Sequence, residues 1–147
     1  MSRTAAGVKA IRLKAAPTQT GRGSDRSIGG DFVAGLDIIK QGGKEQIANS
    51  KLLIVTENGF AKQTSLKEYK IQSRGGSGIK TAKITAKTGN VVVAQIVGEE
   101  EELLALSSKG QIIKTKMADI RTASRATSGV RIMRLKAEDK VVGAVLL

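Results

Sequence analysis

Apolar residues in this chain come in short runs, not in helical stripes. Leu52-Leu53-Ile54-Val55, Val91-Val92-Val93, Leu103-Leu104-Ala105-Leu106 and Val141-Val142 open stretches of strand length, bounded by turn-forming or charged residues. Short apolar runs closed by such residues are strand signals. Residues 52–56 lead into Asn58-Gly59, which favours a tight hairpin because both residues tolerate positive φ, and Lys109-Gly110 holds the same place after residues 103–107. A second strand pair is predicted over residues 79–85 and 91–97, turning through Thr88-Gly89-Asn90. Only residues 66–71 and 117–122 suit a helical turn, and neither is long enough for a stable helix.

The pattern repeats. Leu52-Leu53-Ile54-Val55-Thr56-Glu57-Asn58-Gly59 aligns without a gap on Leu103-Leu104-Ala105-Leu106-Ser107-Ser108-Lys109-Gly110, and Thr64 falls on Thr115. Ser73-Arg74-Gly75-Gly76-Ser77-Gly78-Ile79-Lys80 meets Ser124-Arg125-Ala126-Thr127-Ser128-Gly129-Val130-Arg131, and Arg3-Thr4-Ala5-Ala6-Gly7-Val8-Lys9 is a third copy of that piece. After one deleted residue, 91–97 matches 141–147, and 32–38 is the corresponding piece of the first copy. A period of about fifty residues is that of propeller blades. The predicted organisation is a partial blade over 1–50, with a flexible insertion at 15–30 and a linker at 40–50, a complete blade over 51–98 and a last blade over 99–147. Four strands are expected per repeat, with Leu53, Val55, Leu104 and Leu106 packed against neighbouring repeats. The acidic run at 99–102 reads as a solvated linker between repeats.

Charge then narrows the partner. The chain has 25 Lys and Arg against 13 Asp and Glu, a formal net charge of +12, which sets up a field that attracts a polyanion. Cysteine and histidine are both absent, which removes thiol nucleophiles, imidazole bases, disulfides and the usual zinc ligands. The longest apolar runs fall far short of a membrane span, no basic amphipathic helix can be drawn, and residues 1–14 carry no export signal, so a cytoplasmic location is expected without membrane contact. Aromatic residues are 2% of the chain, Phe32, Phe60 and Tyr69, which disfavours stacking on single strands and points to duplex backbone. Gly75-Gly76-Ser77-Gly78-Ile79-Lys80-Thr81 lacks the adjacent Gly-Lys and the following helix of a nucleotide-binding loop.

Phosphate binding needs cations at the spacing of the backbone and loops where peptide N–H groups can approach. Arg3, Arg74 and Arg125 open the glycine-bearing loop in each copy. Lys9, Lys80 and Arg131 follow Gly7, Gly78 and Gly129 by two residues, and Arg12, Lys83 and Arg134 form a third row. Strand alternation puts the second and third rows on opposite faces unless a bulge intervenes. The first two rows are therefore favoured, and the third serves equally well in ion pairs between repeats. Lys62, Lys114 and Lys116, on the second hairpin strand, are further candidates. The loop glycines are explained as well by positive φ or close packing as by approach to a ligand.

At Gln72-Ser73-Arg74-Gly75-Gly76-Ser77-Gly78, preceded by Glu68-Tyr69, the chain closely resembles the C-terminal domain of DNA gyrase A. Residues 1–13 look like the end of an earlier blade of that family, and 125–147 like its last blade. The resemblance implies an all-β fold, a β-pinwheel of four-stranded blades in which neighbours exchange a strand and DNA passes over the basic rim. Against a ring of about six blades, the chain supplies two and part of a third, an incomplete ring in which Met1 starts inside a blade. Ser73 and Ser77 stand where the family's signature heptad has basic residues, which marks this as a degenerate copy from a later blade. The implied role is sequence-independent binding and wrapping of double-stranded DNA in supercoiling. The implied partners are the remainder of gyrase A and the gyrase B protein, with no cofactor in this stretch and with ATP hydrolysis and DNA cleavage residing elsewhere. Strong wrapping is not expected from so short an arc. The cleaving tyrosine of such enzymes belongs to another domain, and Tyr69, replaced by Ile120 in the next copy, reads as a packing residue. Two rivals are the equivalent domain of topoisomerase IV and a basic propeller-like scaffold for an acidic protein.

Overall fold

A computed structural model describes residues 9–13, 33, 35–38, 49–98 and 102–147. They divide into two compact units, one of residues 9–13, 33 and 71–79, the other of the remainder. In the first unit Ser73 to Gly76 is a turn: the Gly76 N–H donates to the Ser73 carbonyl at 3.2 Å, and Gly75 has φ 74°. Residues 10–12 run beside it, with Gly75 N–H donating to Ala10 at 2.9 Å and Arg12 N–H to Gly76 at 2.8 Å.

Among the described residues, all the strands lie in the second unit. Antiparallel β1 (Lys51–Thr56) and β2 (Phe60–Ser65) form the predicted hairpin, Lys51 opposite Ser65. Gly59, at φ 76°, donates its N–H to Thr56 at 3.0 Å and closes the connection. The other edge of β1 takes β3 (Val91–Val97). The arrangement recurs in β4 (Glu102–Ser107), flanked by β5 (Ile112–Lys116) and a strand over Val141–Leu146. Single 3-10 turns at Leu66–Glu68 and Met117–Asp119 follow β2 and β5, where the sequence allowed a helical turn.

The second predicted strand pair is not a hairpin within the repeat. Residues 79–85 hold no strand, and their counterpart β6 (Val130–Arg131) pairs with β2 of the preceding repeat, Phe60 opposite Arg131 and Ala61 opposite Val130. The first sheet has the order β3-β1-β2-β6, three strands of its own and one from the next repeat. The turn before β3 explains the difference: Thr88 and Gly89 N–H both donate back to Thr85, and Asn58 N–H donates to Thr88. That turn docks on the end of the β1 hairpin and does not fold 79–85 onto β3. With the strand over Val141–Leu146 termed β7, the two sheets are complete. Residues 33 and 35–38, expected to hold a strand, hold none, although the Asp37 carboxylate accepts from the Ile96 N–H at 2.8 Å. The insertion at 15–30, residues 99–101 and nearly all of the 40–50 linker lie outside the described residues. Glu102, the last of the acidic run, opens β4.

Below β6 the junction is closed side chain by side chain. Gln63 N–H donates to Arg121, Ala123 N–H donates to Gln63, and the Gln63 amide donates to the Met117 and Ile120 carbonyls at 2.7 and 2.9 Å. Thr64 Oγ1 donates to Ala123 at 2.8 Å. Gly129 is tied to this junction: its φ is 80°, and a Cβ there would lie 2.3 Å from the Ala61 carbonyl oxygen, so no side chain fits.

Apolar packing fills the same junction. Leu53, Val55, Ala61 and Val97 of the first sheet meet Leu103, Met117, Ile120, Met133 and Val141 of the next repeat in one buried cluster. The expectation for the last repeat is corrected: Leu104 is half-buried and Leu106 is 41% exposed, while Leu103 and Ala105 are buried. Period-2 alternation gives a blade two faces. The first repeat uses the Leu53 and Val55 face against its successor; the last repeat uses the opposite, Leu103 face against its predecessor.

Each hairpin end is locked by one carboxylate, from opposite sides in the two repeats. Glu57 accepts from the Asn90 N–H at 3.1 Å. Asp139, 4% exposed, accepts from Ser107 Oγ, Ser108 Oγ and the N–H groups of Lys109 and Lys140. Burial raises the Asp139 pKa, but those four donors outweigh it and hold it below the ordinary aspartate range. Hydrogen bonding from Asn90 likewise lowers that of Glu57.

Leu53→Asp, which buries an unpaired carboxylate, is expected to abolish the cooperative thermal transition, whereas Leu106→Asp should shift stability by less than about 1 kcal/mol. Equal losses would overturn the assignment of faces. Because the folded-state pKa of Asp139 is depressed, its contribution is fully present above about pH 4 and is lost as pH falls through the folded value. Asp139→Asn should therefore flatten the acid limb of a melting temperature against pH curve; an unchanged limb would remove Asp139 from that role.

Candidate nucleic-acid interface

The described candidate cations sort into exposed and engaged groups. Arg3 lies outside the described residues. Lys9 and Arg74 are exposed in the first unit, Arg74 at the tip of the Ser73 to Gly76 turn. Lys80, Lys83, Arg131 and Arg134 are exposed in the second, and the Lys83 N–H donates to the Thr127 carbonyl, which holds its backbone against the glycine-bearing loop of the next repeat.

The second and third rows do not fall on opposite faces in the last repeat. Beyond β6, the N–H groups of Ile132 and Met133 both donate to the Gly59 carbonyl, at 2.8 and 3.2 Å. Two residues opposite one constitute a β-bulge, which shifts the alternation by one. Arg131 and Arg134 consequently line one cavity of about 460 Å³, together with Phe60, Lys87, Ile132 and Met133. Among the described residues no carboxylate pairs with Lys83 or Arg134, so the inter-repeat ion pair considered for their row is not formed there.

Lys62 departs from the expectation altogether. It is 1% exposed, and its ammonium donates to the carbonyls of Ser124 and Arg125. Burial pushes its pKa below the ordinary lysine range, opposed by the charge of Glu68. An ammonium spent on two carbonyls is a clamp between repeats and presents no charge to a phosphate. In the sequence it is indistinguishable from an exposed strand lysine, because alternation on β2 is overridden when β6 and the segment before it cover that strand.

Arg125 is also engaged. Glu68 accepts from its backbone N–H at 3.2 Å and lies 4.0 Å from Nε, and its guanidinium stands 5.9 Å from the centre of the Tyr69 ring. Tyr69 is half-buried, its hydroxyl bonded to Thr81 Oγ1, which fits the packing role. Lys114 pairs with Glu102 at 2.6 Å across β4 and β5, and Lys116 is exposed at the end of β5. Lys140, not among the sequence candidates, donates to Asn58 Oδ1 at 2.8 Å and lies 3.6 Å from Glu57. Lys87 was also missed. It precedes Thr88-Gly89-Asn90 and has no basic equivalent in the other complete repeat, so only the fold places it beside Arg131.

The chain matches the DNA gyrase C-terminal domain, beta-propeller family over residues 1–15, 50–97 and 101–147. It is 39% identical over 145 residues to DNA gyrase A of Staphylococcus aureus (strain MRSA252), covering 99% of this chain and 14% of that protein. With DNA gyrase A of Staphylococcus epidermidis (strain ATCC 12228) identity is 40% over 135 residues, 92% of this chain and 13% of that one. A solved gyrase A C-terminal domain is similar with a TM-score of 0.62 and 28% identity, over 70% of this chain and 34% of that one. The C-terminal domain of DNA topoisomerase IV follows at 0.61 and 26%, over 67% and 30%. The repeats, the exchanged strand and these matches together make the chain a member of the DNA gyrase C-terminal β-propeller family.

Proposed function

We propose that the chain is a non-catalytic, sequence-independent duplex DNA-binding module of a type II topoisomerase, acting with the remainder of gyrase A and with the gyrase B protein in supercoiling. The observation that carries the reading is the set of exposed cations at repeat-equivalent positions, Lys80 with Arg131 and Lys83 with Arg134, none of them in an ion pair among the described residues. Lys9 and Arg74 add exposed charge, and Lys114, Lys116 and Arg125 are weaker contributors, two of them already facing carboxylates. A net charge of +12 supports a polyanion and the scarcity of aromatic residues favours duplex over single strands. The corresponding domain of topoisomerase IV is a second reading, favoured by a structural likeness nearly equal to that with gyrase.

Duplex affinity should fall by about 10³-fold or more between 50 and 200 mM salt if roughly six phosphates are neutralised, with little sequence preference. A salt-insensitive affinity or a preference for single strands would sink the reading. Lys62→Ala separates the clamp from the contacts: leaving two carbonyls unpaired should cost about 1–3 kcal/mol of stability with the salt slope unchanged. A slope lower by about 0.9 would put Lys62 on a phosphate. Bending a duplex of two to three turns costs of order 1–6 kcal/mol, and two complete repeats offer a short arc of contacts. Nicked circular DNA sealed with the chain present is expected to keep a linking number near that of the protein-free control; a large positive shift would contradict this.

A further inference from the structure

Where the two complete repeats meet at Phe60, three cations face one cavity. The Phe60 side chain is almost fully buried, with Lys87 Nζ 5.5 Å and the Arg131 guanidinium carbon 5.1 Å from its ring centre. Both lie within the roughly 6 Å at which a cation is attracted by an aromatic face. Arg134 is brought to the same cavity by the bulge after β6. No carboxylate lines this cavity; the same three cations also border an adjoining cavity of about 540 Å³ that holds Glu138 and Asp139, but none of them is in an ion pair among the described residues.

The choice of an aromatic ring has an electrostatic consequence. A ring attracts cations through its quadrupole but carries no net charge. Phe60 therefore steadies Lys87 and Arg131 and leaves both charges to act outward. A carboxylate in its place would steady them by cancelling them, as Glu68 does for Arg125 and Glu102 for Lys114. Like charges gathered at one point repel, and an anion bound between them relieves the repulsion. The cleft is also unique among the aligned positions of the two complete repeats: Gln111 occupies the place of Phe60, and neither Ala137 nor Glu138, which align with Lys87, is basic.

The geometry points to this cleft as the seat of a phosphate diester of the duplex backbone, with Lys87, Arg131 and Arg134 as its contacts and Phe60 as their positioning residue. The inference rests on the duplex binding proposed above and adds where the backbone is gripped. It moves the main contact from the tip of the arginine loop to the seam between repeats.

The test is a salt titration of duplex affinity for Lys87→Gln, Arg131→Gln and Arg134→Gln, beside Lys67→Gln on an exposed turn outside the cleft. Each cleft variant is expected to lower the log–log salt slope by about 0.9, and Lys67→Gln to leave it unchanged. Phe60→Leu, which keeps every charge, should weaken affinity several-fold at an unchanged slope, with its thermal transition checked in parallel. Side-chain NMR signals of Lys87, Arg131 and Arg134 followed during titration with inorganic phosphate supply a readout that needs no DNA; shifts confined to those three support the seat. If the unaltered chain binds duplex while all three cleft variants keep its slope, the seat is refuted and the functional reading stands. If the unaltered chain binds no duplex, the functional reading falls, and phosphate shifts at the three residues keep the cleft as an anion site. Shifts spread evenly over the exposed lysines, or none, refute the cleft in either case.

Discussion

The outer edge of β2 is the constraint on which the rest of the described structure depends. An unpaired strand edge is a row of unmet donors and acceptors, and here it is met by the following repeat: β6 pairs with Phe60 and Ala61, and the segment before it pairs with Gln63. That requirement makes Gly129 obligatory, because β6 must approach Ala61 more closely than any side chain permits. It also spends Lys62, Gln63 and Thr64 on the carbonyls of the arriving segment. At the aligned positions 113–115 the last repeat has Ile113, Lys114 and Thr115, and Lys114 turns to Glu102. The two repeats are one sequence pattern in two environments, and their differing residues follow the environment.

The same seam organises the charge. Coulombic attraction is weak between exposed groups and strong between groups withdrawn from water, so a cation's surroundings matter more than its presence. Lys62 is withdrawn and satisfied by carbonyls, Arg125 is half-buried beside Glu68 and Tyr69, and Lys140 is held by Glu57 and Asn58. These three join repeats. Lys87, Arg131 and Arg134 border the Phe60 cleft and, although Glu138 and Asp139 line the adjoining cavity, form no ion pair among the described residues and keep their charge available. One junction therefore supplies both the rivets that hold the blades and the surface on which a polyanion can settle.

Two features carried most of what could be read beforehand. The period of about fifty residues, typical of blades, and the short apolar runs closed by Asn58-Gly59 and Lys109-Gly110 predict an all-β repeat with hairpins at those turns, and the strands lie there. A continuous apolar run does not say which face is covered, so Leu106, aligned with Val55, is expected inside and lies outside. It also could not show that residues 130 and 131 pair with another repeat, because short-range pattern favours a local hairpin and partner choice is a long-range matter.

Local chemistry is written in the sequence by itself: the hairpin strands, their turn residues, the repeat, the cationic excess and the absence of cysteine and histidine. These follow from propensities and composition that need no neighbour. Partner choice and the fate of each charge belonged to the tertiary structure. Only packing of one repeat on the next could bury Lys62, give Arg125 a carboxylate, bulge the chain at Ile132 and Met133 so that Arg131 and Arg134 share a side, and bring Lys87 over Phe60. The physical reason is that an ionised side chain's energy is set by solvent exposure and by groups within a few ångströms, and those neighbours come from residues tens of positions away in the chain.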